Sequence, residues 1–193
     1  MEVRSRIQGP EHPETLLALS NYGACKDEAG DLSGAEELYR RCLAGQQKVL
    51  GPAHPDTIHT AENLASVLRK ARRLPEAEAL ARHNLAAREH NQGLEHEATF
   101  SARAALADVL RDKGDSSALA LYRDAAAGLA RTVGATHPTT LDVMHEWAVM
   151  LKNQRQTAEA RRLAQEVLAG ARRRLPPNHP DRKKYEQFGE SLR

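Results

Sequence analysis

Gly51-Pro52-Ala53-His54-Pro55-Asp56-Thr57 decides the fold, because the chain keeps returning to it. Copies stand at Gly9-Pro10-Glu11-His12-Pro13-Glu14-Thr15, at Gly93-Leu94-Glu95-His96-Glu97-Ala98-Thr99 and at Gly134-Ala135-Thr136-His137-Pro138-Thr139-Thr140. A last copy reads Pro176-Pro177-Asn178-His179-Pro180-Asp181. The histidines follow one another at steps of 42, 42, 41 and 42 residues. A fixed period of this size marks a stacked array of supersecondary units. Arrays build long surfaces in which each unit touches its neighbours, so binding is the first expectation and catalysis the second.

The residues between the phrases are helical. After Pro55, apolar residues fall at Ile58, Ala61, Leu64, Ala65 and Leu68, steps of three and four along one face. Pro55 suits a first helical turn, whose N–H is orphaned in any case, and Asp56 favours the positive end of the dipole. The spacing predicts helix A over 57–71. A basic turn, Arg69 to Arg73, follows. Leu74-Pro75-Glu76 restarts a helix whose apolar side is Ala77, Leu80, Ala81 and Leu85, predicted to run to about Arg88 and to be stopped by Asn91 and Gly93. Small residues recur at one place on helix A (Gly23, Ala65, Ala107, Ala148) and one on helix B (Ala35, Ala77, Ala118, Ala160). Small residues at both let two helices cross at about 8–10 Å between axes. The one-residue deletion falls at Asp115-Ser116-Ser117, in the turn between the helices, where deletions cost least.

These residues resemble the tetratricopeptide repeat. Its W-x2-L-G-x2-Y then A-x3-F pattern is echoed by Leu19-x2-Tyr22-Gly23 with Ala35-x3-Tyr39, and by Leu106-Ala107 with Ala118-x3-Tyr122. The long period and the His-Pro-acid/Thr turn are similar to the repeats of kinesin light chain and its relatives, whose helix B is longer. Armadillo and HEAT units have similar periods, but the paired small positions and the A-x3-Y step favour the tetratricopeptide form. The resemblance implies an all-α fold, a right-handed superhelical stack of antiparallel helix pairs. Repeats are expected near 9–50, 51–92, 93–133 and 134–175, with a capping helix at 180–193 whose apolar side is Tyr185, Phe188 and Leu192. Residues 1–8 read as the remnant of a preceding helix B, which makes a longer parent protein one expectation and a partner at that face another.

In such arrays the A helices line a concave face. Two residues before the small crossing position stand Asn21, Asn63, Ala105 and Glu146. In kinesin-light-chain-like repeats an asparagine here contacts the backbone of a bound peptide, since an amide both donates and accepts. Asn21 and Asn63 match; Ala105 and Glu146 depart. Four residues after the crossing position stand Asp27, Arg69, Arg111 and Lys152, a row with three cations that suits carboxylates on an acidic peptide. Helix C-termini favour cations anyway, which is the competing explanation. His59, Glu62, Ser66 and Asp108 lie between them and mix the field.

Other chemistry finds little support. The repeated histidines are one repeat apart, about 10 Å, whereas ligands must each sit about 2 Å from one metal. No metal site, cofactor or catalytic residue is therefore expected, and no His-Glu-x-x-His, Gly-x-Ser-x-Gly or phosphate-cradling loop occurs. Cys25 and Cys42 read as packing residues of one repeat, with a redox pair as the alternative, and two cysteines make no disulfide framework. A cytoplasmic setting is the expectation. The 28 basic and 26 acidic residues leave a net charge of +2, which does not suggest a nucleic-acid footprint. Nothing reads as a membrane-inserting segment or a signal peptide. The expected function is a non-catalytic protein-interaction module that holds a peptide or partner helix in the concave groove. The alternative is a structural subunit of a larger complex, docked by its convex or end surfaces.

Overall fold

The recurring phrase works as a helix starter. In the computed structural model, which describes residues 9–192, each histidine of the phrase sits in extended conformation immediately before a helix. The N–H groups of Glu14, Asp56, Ala98 and Asp181 donate to Nδ1 of His12, His54, His96 and His179 at 3.1–3.3 Å. Each satisfies one of the orphan donors of a first turn. These four histidines are thus N-caps. His137 has the same backbone conformation but no side-chain cap bond.

The rest of the phrase closes the turn. The hydroxyls of Thr57, Thr99 and Thr140 donate to the carbonyls of Gly51, Gly93 and Gly134 at 2.8, 2.7 and 2.9 Å. These glycines have φ of +88°, +89° and +101°, a left-handed conformation that a side chain resists. The last copy has Pro176 there, and Leu175 before it is extended, as a residue preceding proline prefers.

Nine helices, and no strand, are found among the described residues: α1 (Pro13–Glu28), α2 (Leu32–Val49), α3 (Pro55–Lys70), α4 (Leu74–Gln92), α5 (Glu97–Lys113), α6 (Ala118–Thr132), α7 (Pro138–Asn153), α8 (Thr157–Arg174) and α9 (Pro180–Glu190). They alternate as A-type and B-type partners of helix pairs, with α9 following the last pair. Residues 1–8, read as a helix B remnant, lie outside the described residues. Helix α4 runs past its expected end at Arg88. Asn91 does not stop it, because its side chain donates to the carbonyl of Ala53 at 2.7 Å and so is satisfied in place.

The chain forms two compact units that divide between Asn91 and Gln92. In the first, Leu16, Leu19, Leu38 and Cys42 form a buried cluster. Ala35 and Ala77 are fully buried, as expected of crossing positions. Lys70 of α3 reaches Asp27 of α1 at 2.7 Å, and Arg40, Arg73, Glu36 and Glu76 join α2 to α4 in an ion-pair network. In the second unit Ala107, Ala118, Ala148 and Ala160 are fully buried. Helix α9 lays Tyr185 against Leu141, Val167 and Ala171, and Phe188 packs beside Leu151, Leu163 and Leu192.

A second close approach was not foreseen. A Cβ placed on Gly45 would lie 2.4 Å from Leu16, on Gly128 2.2 Å from Phe100, and on Gly170 2.8 Å from Leu141. Leu16, Phe100 and Leu141 occupy one repeat position on A-type helices, and the three glycines one position on B-type helices. Each glycine is the hole into which a large side chain of its neighbour fits. The cysteines part company. Cys42 is fully buried and its thiol donates to the Leu16 carbonyl at 3.2 Å, whereas Cys25 is exposed and is not a packing residue.

Candidate interaction surface on the A-type helices

In the first unit the expected contact positions lie on α1 and α3. Asn21 is exposed, and Asn63 is half-buried with Nδ2 3.4 Å from Nε2 of the exposed His59. Ser66 and Arg69 are half-buried one and two turns farther along α3. Glu62 is differently placed. It accepts from Nε and Nη2 of Arg88, both at 2.9 Å, a bidentate pair that ties α3 to α4. Arg88 is 9 % exposed. Its stem is part of the core and its charge is matched by Glu62, so Glu62 is structural as well as surface-lying.

The first unit also carries a cleft of about 400 Å³ between α1, the end of α2 and the start of α3. Asn21 and His59 line it, with Leu16, Leu17, Gln46 and Asp56. Sequence reasoning passed over Leu17, Gln46 and Asp56 as site residues. One signal was there: Leu38, Cys42 and Gln46 step by four along α2, which puts a glutamine on an apolar stripe.

In the second unit the matching positions, on α5 and α7, are held from within. Arg111 donates to Glu146 at 2.6 Å and to Asp112 at 3.2 and 3.3 Å, and lies 3.5 Å from Asp108. Burial works against its charge, but Tyr122, Asp108 and Glu146 outweigh it and the net shift of its pKa is upward. Asp108 accepts the hydroxyl proton of Tyr122. Burial and then that carboxylate push the Tyr122 pKa up. Glu146 is also 3.5 Å from Lys184 of α9; burial would raise its pKa, and Arg111 and Lys184 bring it below the ordinary carboxylate value. Lys152 donates to Ser191 at 2.9 Å and stands 5.7 Å over the Phe188 ring. Arg111, Asp108 and Glu146, expected as separate surface positions, thus form one charge cluster.

Two features of this unit were not anticipated. His145 is 5 % exposed, with ring centroids 5.1 Å from Tyr185 and 4.8 Å from Phe188. Burial, helped by Lys184, pushes its pKa down to about 4. A smaller cleft, about 240 Å³, is lined by Leu119, Ala120, Arg123, Trp147 and Glu159, and the Trp147 indole N–H is buried without an acceptor among the described residues.

Among the described residues no three His, Cys, Asp or Glu side chains are grouped to hold a metal ion, and no helix is long and apolar enough to cross a membrane.

Comparison with known proteins agrees with the architecture. Family models described as tetratricopeptide repeat match residues 1–48, 34–90 and 140–181. No curated protein sequence matches the chain. Among solved structures it is similar to the nearly identical TPR-like repeats of a kinesin light chain candidate from Podospora anserina, with 25 % identity, 94 % of this chain and 86 % of that one covered, and a TM-score of 0.76. A single-substitution variant of those repeats superposes with a TM-score of 0.77 at 24 % identity, covering 96 % of this chain and 87 % of the variant. BtubC (BKLC) from P. vanneervenii shares the fold with a TM-score of 0.78 at 16 % identity, covering 99 % of this chain and 76 % of that one.

Proposed function

Because the chain belongs to the tetratricopeptide repeat family, with repeats of the kinesin-light-chain-like type, we propose that it is a non-catalytic interaction module that holds a segment of a partner protein against its A-type helices. Tetratricopeptide repeats in general mediate protein–protein interaction. The observation that carries the finer reading is the pair of amides, Asn21 and Asn63, at one repeat position on α1 and α3. Each can donate to and accept from an extended backbone. In the first unit His59 and Ser66 flank them and Arg69 supplies a cation; in the second unit Lys152 supplies one. Arg111 is engaged by Glu146 and Asp112, so it contributes through that cluster. A cytoplasmic setting belongs to the same proposal.

The test is partner capture. Immobilised protein is compared with an Asn63→Ala/Arg69→Glu variant. Capture is expected to be lost while the far-ultraviolet dichroism stays unchanged; undiminished capture would remove this face from the account.

One observation favours docking by other surfaces as a second reading. Trp147, whose indole N–H is buried without an acceptor among the described residues, lines a cleft of α6, α7 and α8 together with Arg123, and tryptophan and arginine are residue types enriched at interface centres. Cross-links from the neighbourhood of Arg123, with none from α1 and α3, would select that reading.

A further inference from the structure

We infer that the cleft of the first unit takes a lysine or arginine side chain presented by the bound segment. The inference rests on the A-helix reading above and names the chemistry of one contact within it.

Three observations converge on a cation. The first is an orphan acceptor. Gln46 is 5 % exposed, and its side-chain carbonyl Oε1 is buried with no hydrogen-bond partner among the described residues. Buried acceptors in folded proteins are nearly always satisfied, and one left unpaired is costly. A donor arriving from a ligand would satisfy it.

The second is charge. Among the described residues that line the cleft, Asp56 is the one carboxylate, and there is no lysine or arginine. The other titratable groups there are His54 and His59. The N–H of Asp56 donates to His54 Nδ1 at 3.2 Å, and the Asp56 carboxylate itself lies 3.8 Å from that nitrogen and is largely exposed to solvent. Beside the hydroxyls of Ser20 and Thr60 and the amide of Asn21, which both donate and accept, the site offers the orphan Gln46 carbonyl and one carboxylate to whatever enters.

The third is the wall. Leu16 and Leu17 form the apolar side, and Leu17 is 61 % exposed, unusual for a leucine on an otherwise polar helix face. A side chain that matches all three has an aliphatic stem, a donor-rich tip and a positive charge. Lysine and arginine have that shape. A carboxylate would meet Asp56 and a second acceptor head-on, and a purely apolar side chain would leave Gln46 unpaired.

The experiment is a titration of the isotope-labelled full chain with Nα-acetyl-lysine methylamide at pH 7.5, followed by nuclear magnetic resonance of the backbone amides. Nα-acetyl-norleucine methylamide and Nα-acetyl-glutamate methylamide serve as comparisons. Saturable shifts centred on Leu17, Asn21 and Gln46 are expected with the lysine probe. Loss of a charge-assisted hydrogen bond is expected to make the norleucine probe at least about fivefold weaker. Asp56→Asn, and independently Gln46→Leu, should weaken the lysine probe with the norleucine probe unaffected. Absence of saturable shifts, equal binding of norleucine, preference for glutamate, or a lysine titration unmoved by Asp56→Asn would each overturn the inference. Neither Asn63 nor Arg69 lines the cleft, so Asn63→Ala/Arg69→Glu should titrate like the parent. Probe binding with undiminished partner capture by that variant would sink the A-helix reading alone. Lost capture with no probe binding would sink the cleft alone.

Discussion

Gly128→Ala is the sharpest test of how the repeats pack. On α6 the intrinsic effect of replacing glycine by alanine is a gain of about 1 kcal/mol, because the unfolded chain loses backbone freedom. The structure opposes it. The new Cβ would stand 2.2 Å from Cε1 and 2.3 Å from both Cδ1 and Cζ of Phe100, where carbon atoms normally keep about 3.5–4.0 Å. Phe100 is fully buried, so the ring cannot swing into solvent. Over-packing of a tight core costs about 1–3 kcal/mol, and three ring atoms this close argue for the upper end. The net expectation is a loss of about 2 kcal/mol. Urea unfolding followed by Trp147 fluorescence is the assay; this is the sole tryptophan and it reports the second unit. Gly189→Ala on α9 is the control, since nothing lies within 4 Å of its Cβ, and it should be neutral or stabilising. In a Phe100→Leu background the Gly128→Ala penalty should shrink by more than half. A Gly128→Ala protein as stable as the parent, or a penalty indifferent to residue 100, would refute the knob-and-hole account.

Two further outcomes are expected. His145 stays neutral in the folded protein to about pH 4, whereas in the unfolded chain it takes a proton near pH 6.5, so stability falls as pH drops through that interval. Between about pH 7 and pH 5 the loss should be about 2 kcal/mol, and His145→Leu should flatten that slope in urea titrations run at each pH. The turns between paired helices place Gly30, Arg72, Gly114 and Arg155 at φ of +79°, +62°, +80° and +63°. Gly114→Ala should cost about 1 kcal/mol, while Arg155→Gly should be neutral or raise the melting temperature; the opposite order in thermal melts would contradict the strain argument.

The sequence revealed the helices because their signals are local. Helix α3 was expected at 57–71 and spans Pro55–Lys70, and the alanines that recur at fixed positions are buried, most of them fully. What stayed hidden depends on partners far along the chain. Gly128 reads as a blemish in a helix until Phe100 is seen against it. Glu62 looked like a free surface acid, and its partner Arg88 is 26 residues away across a helix pair. Arg111 looked like one of a row of cations, and Glu146, 35 residues on, holds it. The candidate site was legible as positions on A-type helices. Which of those positions are already tied internally was not, since that is set by how neighbouring pairs meet.

The self-contained joint has a consequence for how such a chain can grow. In the copies at Gly51, Gly93 and Gly134 the glycine carbonyl is closed by a threonine six residues later, and His12, His54, His96 and His179 each accept from an N–H two residues on, so these bonds lie inside one phrase. A block copied from phrase to phrase carries its own hinge and its own starter with it. Duplication can then lengthen the molecule without inventing a new connection, and only the faces that meet across the seam must be made to fit.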